Sequence, residues 1–291
     1  MIGELFAIGT ALCWGTSPIL YRRALVGIDP VIANLVRTIP ATILLAIIFF
    51  GSGGFAELLS VDLRTLLLIA ASVVAGQLFG DLLLFESIME MGASRSSAIF
   101  SIHPIFSMMF AFLLLNEMPT WNVLFGAFAI VMGLWLISLS MADVTRANLG
   151  RSRISMLKAL VGASLWGAST FVLKIVVQTV TPLETITLRM LLLSVILSTV
   201  VAGRGIVQLK PLSRRVVCML AVAGVIALVL GNFLLYSSLK LIMLSVVAPL
   251  ASVSPLFSTL FAVVFLKEKI SMGQLLGVAS IFFGILVLTI F

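Results

Sequence analysis

The sequence is poor in the side chains from which enzyme centres and metal sites are built. It holds one histidine and two cysteines in 291 residues. A catalytic centre needs paired histidines, a carboxylate–histidine cluster or a nucleophile with its base, and one histidine in the whole chain argues against such a constellation. Cys13 and Cys218 both fall inside apolar runs, so neither a disulfide framework nor a metal spacing is present. These shortages predict a protein that is not an enzyme and that uses no metal and no cofactor. Charge is scarce too: 10% of residues are charged, where about a quarter is usual in soluble domains. At 62% hydrophobic, a soluble core would have no surface left to face water. The net charge of +7 comes from basic residues set between apolar runs rather than gathered in a patch, which argues against nucleic acid. A signal peptide is not expected either. Arg22 and Arg23 follow the first apolar run instead of preceding it, and no small-residue cleavage site comes after.

What the chain does have is long apolar runs, and they repeat. Segment 102–137 recurs as 253–288 with a constant offset: Pro104 meets Pro255, Phe106 meets Phe257 and Glu117 meets Glu268. Gly126 then meets Gly277, and Gly133 meets Gly284. A polar break carrying a glutamate between two apolar runs reads as two membrane-spanning helices joined by a tight turn. The repeat extends outward. Trp14-Gly15 is echoed by Trp166-Gly167, Pro30 and Arg37 by Pro182 and Arg189, and Gly80-Asp81 by Gly231-Asn232. Runs of about 20 residues, enough to cross ~30 Å of hydrocarbon, fall at 3–21, 30–50, 63–87, 92–115 and 121–139. Five more fall at 154–177, 182–201, 216–239, 243–266 and 272–290. The expected fold is therefore an all-α integral membrane protein of ten transmembrane helices. Residues 1–141 form one five-helix repeat, 142–153 a polar linker and 154–291 the second repeat. An odd helix count per repeat makes the second copy enter the membrane from the opposite face. That gives an inverted repeat about a pseudo-two-fold axis in the membrane plane, as in many secondary transporters.

These residues resemble the EamA family of the drug/metabolite transporter superfamily. The Pro-then-Glu-then-Gly-x6-Gly pattern present twice, the Trp-Gly of each first helix and the arginine of each second helix carry the resemblance. It implies ten helices and a central cavity open alternately to either side, with small polar metabolites or amino acids as cargo. Two features depart from the family pattern: Asn116 and Lys267 stand where members often have glycine, and the 51–62 loop lacks the usual basic residues. Orientation is read two ways. Lysine and arginine concentrate after the odd-numbered helices, which puts both termini outside, whereas the resemblance implies termini inside.

Polar residues inside hydrocarbon cost at least ~2.5–3.5 kcal/mol each when charged, and tend to face a cavity or a partner. Asp81 and Gln77 lie four apart on one helix face, beside a Gly76/Gly80 pair that permits close backbone approach. Asp81 binds a substrate amine or carries a proton; otherwise it makes a helix–helix hydrogen bond, His103 being one partner within reach. Asn232, with Tyr236 one turn on, keeps the polarity and drops the charge. His103 lies about 15 Å into its helix, near the midplane, and either faces the cavity or only satisfies a neighbour. Pro104 and Pro255 break two helices at matching depths, a pointer to a transporter's binding site. Trp14, Gln77, Asp81, His103, Trp166, Asn232 and Tyr236 are thus the expected substrate-binding residues. Arg37 and Arg189, about 10 Å inside their helices, are expected to snorkel and act structurally. Glu86, aligned with Glu90, has a structural or gating role. Glu117 and Glu268 favour the dipole of the helix that each precedes.

The expected function is a carrier that moves a small polar organic metabolite, such as an amino acid or related solute, by alternating access. Export is the expected direction, with proton coupling through Asp81 as a further possibility. The alternatives are a passive channel or facilitator and, further off, an integral-membrane enzyme. Expected partners are the substrate and the lipid bilayer of the cell membrane, and the chain acts as a monomer or homodimer.

Overall fold

A computed structural model describes residues 1–21, 28–91, 96, 99–140, 149–203, 212–266 and 270–290, and no strand occurs among them. In the amino-terminal half, α1 is Ile2–Tyr21, α2 Pro30–Gly51 and α3 the short Phe55–Ser60. Next, α4 (Leu63–Ser72) runs through a π-helical segment, Val73–Gly80, into α5 (Asp81–Met91). His103–Leu115 is α6 and Trp121–Ser140 is α7. The carboxy-terminal half has α8 (Leu149–Thr179), α9 (Pro182–Gly203) and α10 (Arg214–Gly224). A second π-helical segment, Val225–Gly231, leads into α11 (Asn232–Leu241). Finally come α12 (Leu244–Ala251), α13 (Ser254–Leu266) and α14 (Met272–Ile290).

Local chemistry sets the ends. Asp29 caps α2 by accepting from Val31 N at 2.8 Å, with Pro30 in the first turn where its missing N–H costs nothing. Thr181 and Glu184 cap α9 reciprocally, and Ser271 and Gln274 do the same for α14. α6 stops at Asn116, which takes φ 53°, the one left-handed non-glycine backbone among the described residues. That conformation is the physical reason a glycine suits this place, and asparagine is among the side chains that tolerate it. Pro104 and Pro255 are each the second residue of a helix that restarts after a two-residue turn. The interruption thus falls just before the prolines, whose rings fit a first turn. α8 begins at Leu149, within the expected 142–153 linker, and carries Arg151 and Arg153. Neither arginine nor leucine opposes a helix.

Among the described residues, eight helical stretches are long and apolar enough to cross a membrane, and Ile2–Thr16 and His103–Leu115 are shorter apolar helices. Outward-facing positions are apolar as well: Ile47 is 65% exposed, Phe125 63% and Phe283 60%. An aqueous surface would not tolerate so continuous an apolar face; lipid requires one.

Packing joins the halves. α7 and α14 run together along a seam of four glycines. A Cβ on Gly133 would meet Gly277 O at 2.5 Å, and one on Gly277 would meet Gly133 O at 2.6 Å. Gly126 and Gly284 face each other in the same way. Close backbone approach of this kind supplies the van der Waals contact that associates helices in lipid. α2 and α9 pack together, with Thr42 Oγ1 2.7 Å from Ser194 Oγ and donating to Met190 O at 3.2 Å. α1 packs on α13, α11 and the second π-helical segment; α8 packs on α6, α5 and the first.

Candidate functional site

α1 and α8 bring Trp14 and Trp166 together near the middle of the bundle. Their rings meet edge to face, with centroids 6.3 Å apart and planes at 80°. The glycine after each tryptophan allows this. A Cβ on Gly15 would meet Phe257 Cβ and Ser254 O at 2.7 Å, and one on Gly167 would meet Phe106 Cβ at 2.6 Å and His103 O at 3.1 Å. Each Trp-Gly therefore seats its helix directly on the restart of a broken helix from the other half. Ser258 Oγ donates to Gly15 O at 2.9 Å, and Ser107 Oγ reaches Gly167 O at 3.4 Å.

The π-helical segments approach the same pair. Gly80 lies under Trp166, where a Cβ would meet Cδ1 at 2.7 Å, and Gly231 lies under Trp14, where it would meet Cδ1 at 3.0 Å. A π-helical turn inserts a residue, re-aims the side chains after it and loosens the backbone ladder. Asp81 and Asn232 are the first residues after these turns. Asp81 Oδ1 accepts the indole N–H of Trp166 at 2.9 Å. The bond between Asp81 and His103 that the sequence left open is not the one formed. His103 Nδ1 instead lies 3.2 Å from Phe100 O, and its ring stands against Trp166 with centroids 6.4 Å apart. Phe100, which the sequence did not single out, completes the aromatic group at 6.3 Å from Trp166 and 5.5 Å from His103. Gln77, 8% exposed, has an Oε1 with no hydrogen-bond partner among the described residues.

Asn232 is 5% exposed and Tyr236 fully buried. The Tyr236 OH accepts from Arg189 Nη1, and the guanidinium stands 5.7 Å from its ring centroid. Arg189 does not snorkel. It is 3% exposed and donates from Nη2 to Ser72 O at 3.3 Å and Ser169 Oγ at 3.4 Å. Ser169 Oγ in turn donates to Ser72 O at 2.7 Å, so this knot ties α9, α11 and α8 to the end of α4. Arg37 is half-buried and bonds from Nε to Asn34 Oδ1 at 2.8 Å. No cation pairs with Asp81 within 4 Å among the described residues.

The other carboxylates lie away from this group. Lys158 of α8 pairs with Glu86 at 2.9 Å and Glu90 at 2.6 Å on α5, and Ser155 Oγ donates to Glu90 at 2.6 Å. Glu117 binds the start of α12, accepting from Leu244 N at 3.1 Å. Glu268 lies outside the described residues. Among the described residues no group of three or more His, Cys, Asp or Glu is placed to hold a metal ion. The sequence missed Phe100, the π-helical turns, and the Arg189 and Glu117 contacts. Of these, only Gly76 and Gly80 left a trace, as small residues marking a close approach.

Comparison with known proteins bears on what this arrangement serves. The model of the EamA-like transporter family matches residues 1–139 and 153–290. An uncharacterized transporter of Archaeoglobus fulgidus is 25% identical over 289 residues, covering 99% of this chain and 98% of that protein. An uncharacterized protein of Methanocaldococcus jannaschii is 34% identical over 70 residues, which are 24% of this chain and 51% of its own. A protein of known crystal structure superposes with a TM-score of 0.80 at 16% identity, over 99% of this chain and 98% of its own, so the two share a fold. With its apolar exterior and membrane-length helices, the chain is a multi-pass integral membrane protein that belongs to the EamA-like transporter family.

Proposed function

We propose that the chain is a secondary carrier that moves a small polar organic metabolite by alternating access, in the export direction. The observation that carries this reading is the crossing of Trp14 and Trp166 above the two π-helical turns, with Asp81 bonded to Trp166. Asp81 and the aromatic group of Trp14, Phe100, His103 and Trp166 stand where helices from both halves meet, and Gln77, one helical turn before Asp81, has an amide oxygen without a partner among the described residues. Ligand sites of this kind combine an apolar lining with few convergent polar groups. Loosened helices at matching positions of two halves mark transporter sites.

In this reading, 1–141 and 154–291 are five-helix units of opposite orientation, making ten spans in all. Rocking of one against the other exposes the seat of Trp14, Gln77, Asp81, His103, Trp166 and Asn232 to each side in turn. Tyr236 and Arg189 brace the seat from beneath. Asp81 carries the coupled proton, since its repeat partner Asn232 cannot ionise. One chain contains both units, so a monomer suffices.

A thermal-shift screen of the purified protein against a metabolite library tests this. A cargo at a hundred times its Kd adds about 2.7 kcal/mol of stability. Its shift should vanish in Trp166→Ala. A hit whose shift survives that substitution contradicts the seat. Cysteine labelling of both ends of the chain from one side of the membrane tests the opposed units, which require both ends on the same face.

A further inference from the structure

The turn between α11 and α12 is held from both sides by charged groups of other elements. α11 ends at Leu241, Ile242 is extended with φ −134°, and α12 begins at Leu244. The end of a helix leaves carbonyls without partners, and the start of the next leaves N–H groups without partners. Lys174 of α8 donates from Nζ to Leu239 O at 2.7 Å and to Ile242 O at 2.8 Å. Glu117, in the connection between α6 and α7, accepts from Leu244 N and Ser245 N at 3.1 Å each, and from Ser245 Oγ at 3.2 Å. An ammonium thus meets the negative end of one helix and a carboxylate the positive end of the next. The beginning of α1 closes the third side: Ser238 Oγ donates to Gly3 O at 2.7 Å, and a Cβ on Gly3 would meet Ile242 at 2.7 Å.

Other helices here carry their own caps, such as Asp29 for α2 and Ser213 for α10. The N-cap of α12 is Met243, whose side chain makes no capping bond. Its cap is supplied by Glu117, 127 residues away in the other half. A local cap would survive movement of the halves; this one breaks when the α6–α7 connection parts from α12. Lys174 also lies on the same face of α8 as Trp166, through Thr170, at successive spacings of four. The clamp therefore stands two helical turns from the aromatic seat, at the end of the bundle where α1 begins.

We propose that Lys174 and Glu117 form a latch that closes the seat on that side and must open and re-form in each transport cycle. The inference rests on the alternating-access reading. Both are positioning residues: they act on helix ends and leave the cargo untouched.

The test uses the full chain with Cys13 and Cys218 replaced by alanine and with Thr170→Cys as reporter, reconstituted in liposomes. A charged, membrane-impermeant methanethiosulfonate reagent is added either from the side carrying residue 1 or from the opposite side. Glu117→Gln and Lys174→Gln should each speed labelling from the first side about tenfold, because charge-assisted bonds are lost. They should also slow labelling from the second side, since a population gained by one state leaves the other. Lys174→Arg keeps the charge and the donors, and should label at the parent rate. Where Glu117→Gln does not fold, Ser245→Ala removes one of the three bonds to the carboxylate, for a rise of about threefold. Unchanged first-side rates overturn the latch. An equal rise from both sides also overturns it, because that is general loosening. A first-side rise without a second-side fall keeps the latch as a gate and refutes alternating access.

Discussion

Trp166, in the carboxy-terminal half, donates its indole N–H to Asp81 Oδ1 of the amino-terminal half at 2.9 Å. The same ring stands edge to face with Trp14 and over Gly80. Any rotation of α8 against α5 therefore stretches a hydrogen bond to the one acid in the group. Asp81→Asn keeps an oxygen acceptor for Trp166 and makes the position like Asn232. We expect this variant to exchange cargo across liposomes and to lose its response to an imposed pH gradient. Unchanged pH-driven accumulation would exclude Asp81 as the proton carrier.

Trp166→Phe preserves an aromatic face and removes the donor. Hydrogen bonds to charged groups contribute about 1.5–3 kcal/mol, so cargo affinity should fall by tenfold or more as Asp81 loses its alignment. Trp14→Phe should weaken binding less, because no acid is bonded to Trp14 among the described residues. Isothermal titration of both variants makes the comparison, and equal losses would count against the Asp81 bond.

Arg189→Lys exchanges a planar fork for a point charge that cannot serve Tyr236, Ser72 and Ser169 together. Leaving buried polar partners unmet costs about 1–3 kcal/mol, which thermal unfolding in detergent would report as a lowered midpoint. Tyr236→Phe added to Arg189→Lys should cost less than it does alone, since the two residues share one bond. Fully additive costs would mean that the knot is not a unit.

Gly133→Ala and Gly277→Ala each place a Cβ at 2.5–2.6 Å from a carbonyl oxygen of the opposite helix. Overpacking of this kind costs about 1–3 kcal/mol, so both variants should melt below the parent. Gly203→Ala, where nothing lies within 4 Å, serves as the neutral control. A seam variant as stable as that control would show that α7 and α14 can separate freely.

The apolar runs, the glycine repeats and the two prolines made the helical membrane fold legible in the sequence, because each is a local or periodic signal. What escaped is set by packing at long range. The segments Val73–Gly80 and Val225–Gly231 hold no proline, and a run of valine, leucine and glycine reads the same in an α- or π-helical turn. The extra residue becomes visible only once Trp166 rests on Gly80. Counting residues sets Arg189 about 10 Å along its helix, but that does not fix rotation about the helix axis, so its burial against Tyr236 is not legible. Glu117 precedes α7 in sequence, whereas its side-chain partners lie 127 and 128 residues on. The aromatic group was half legible: the tryptophans repeat, but Phe100 does not.

In the proposed mechanism the two halves carry cargo by exposing one seat to each side in turn. The most direct measurement is trans-stimulation in proteoliposomes loaded with a labelled cargo taken from the binding screen. Efflux is followed with and without unlabelled cargo outside. Efflux should saturate with concentration and accelerate severalfold when cargo is present on the far side, because a loaded seat returns faster than an empty one. Efflux that rises in proportion to concentration and ignores external cargo would contradict this mechanism.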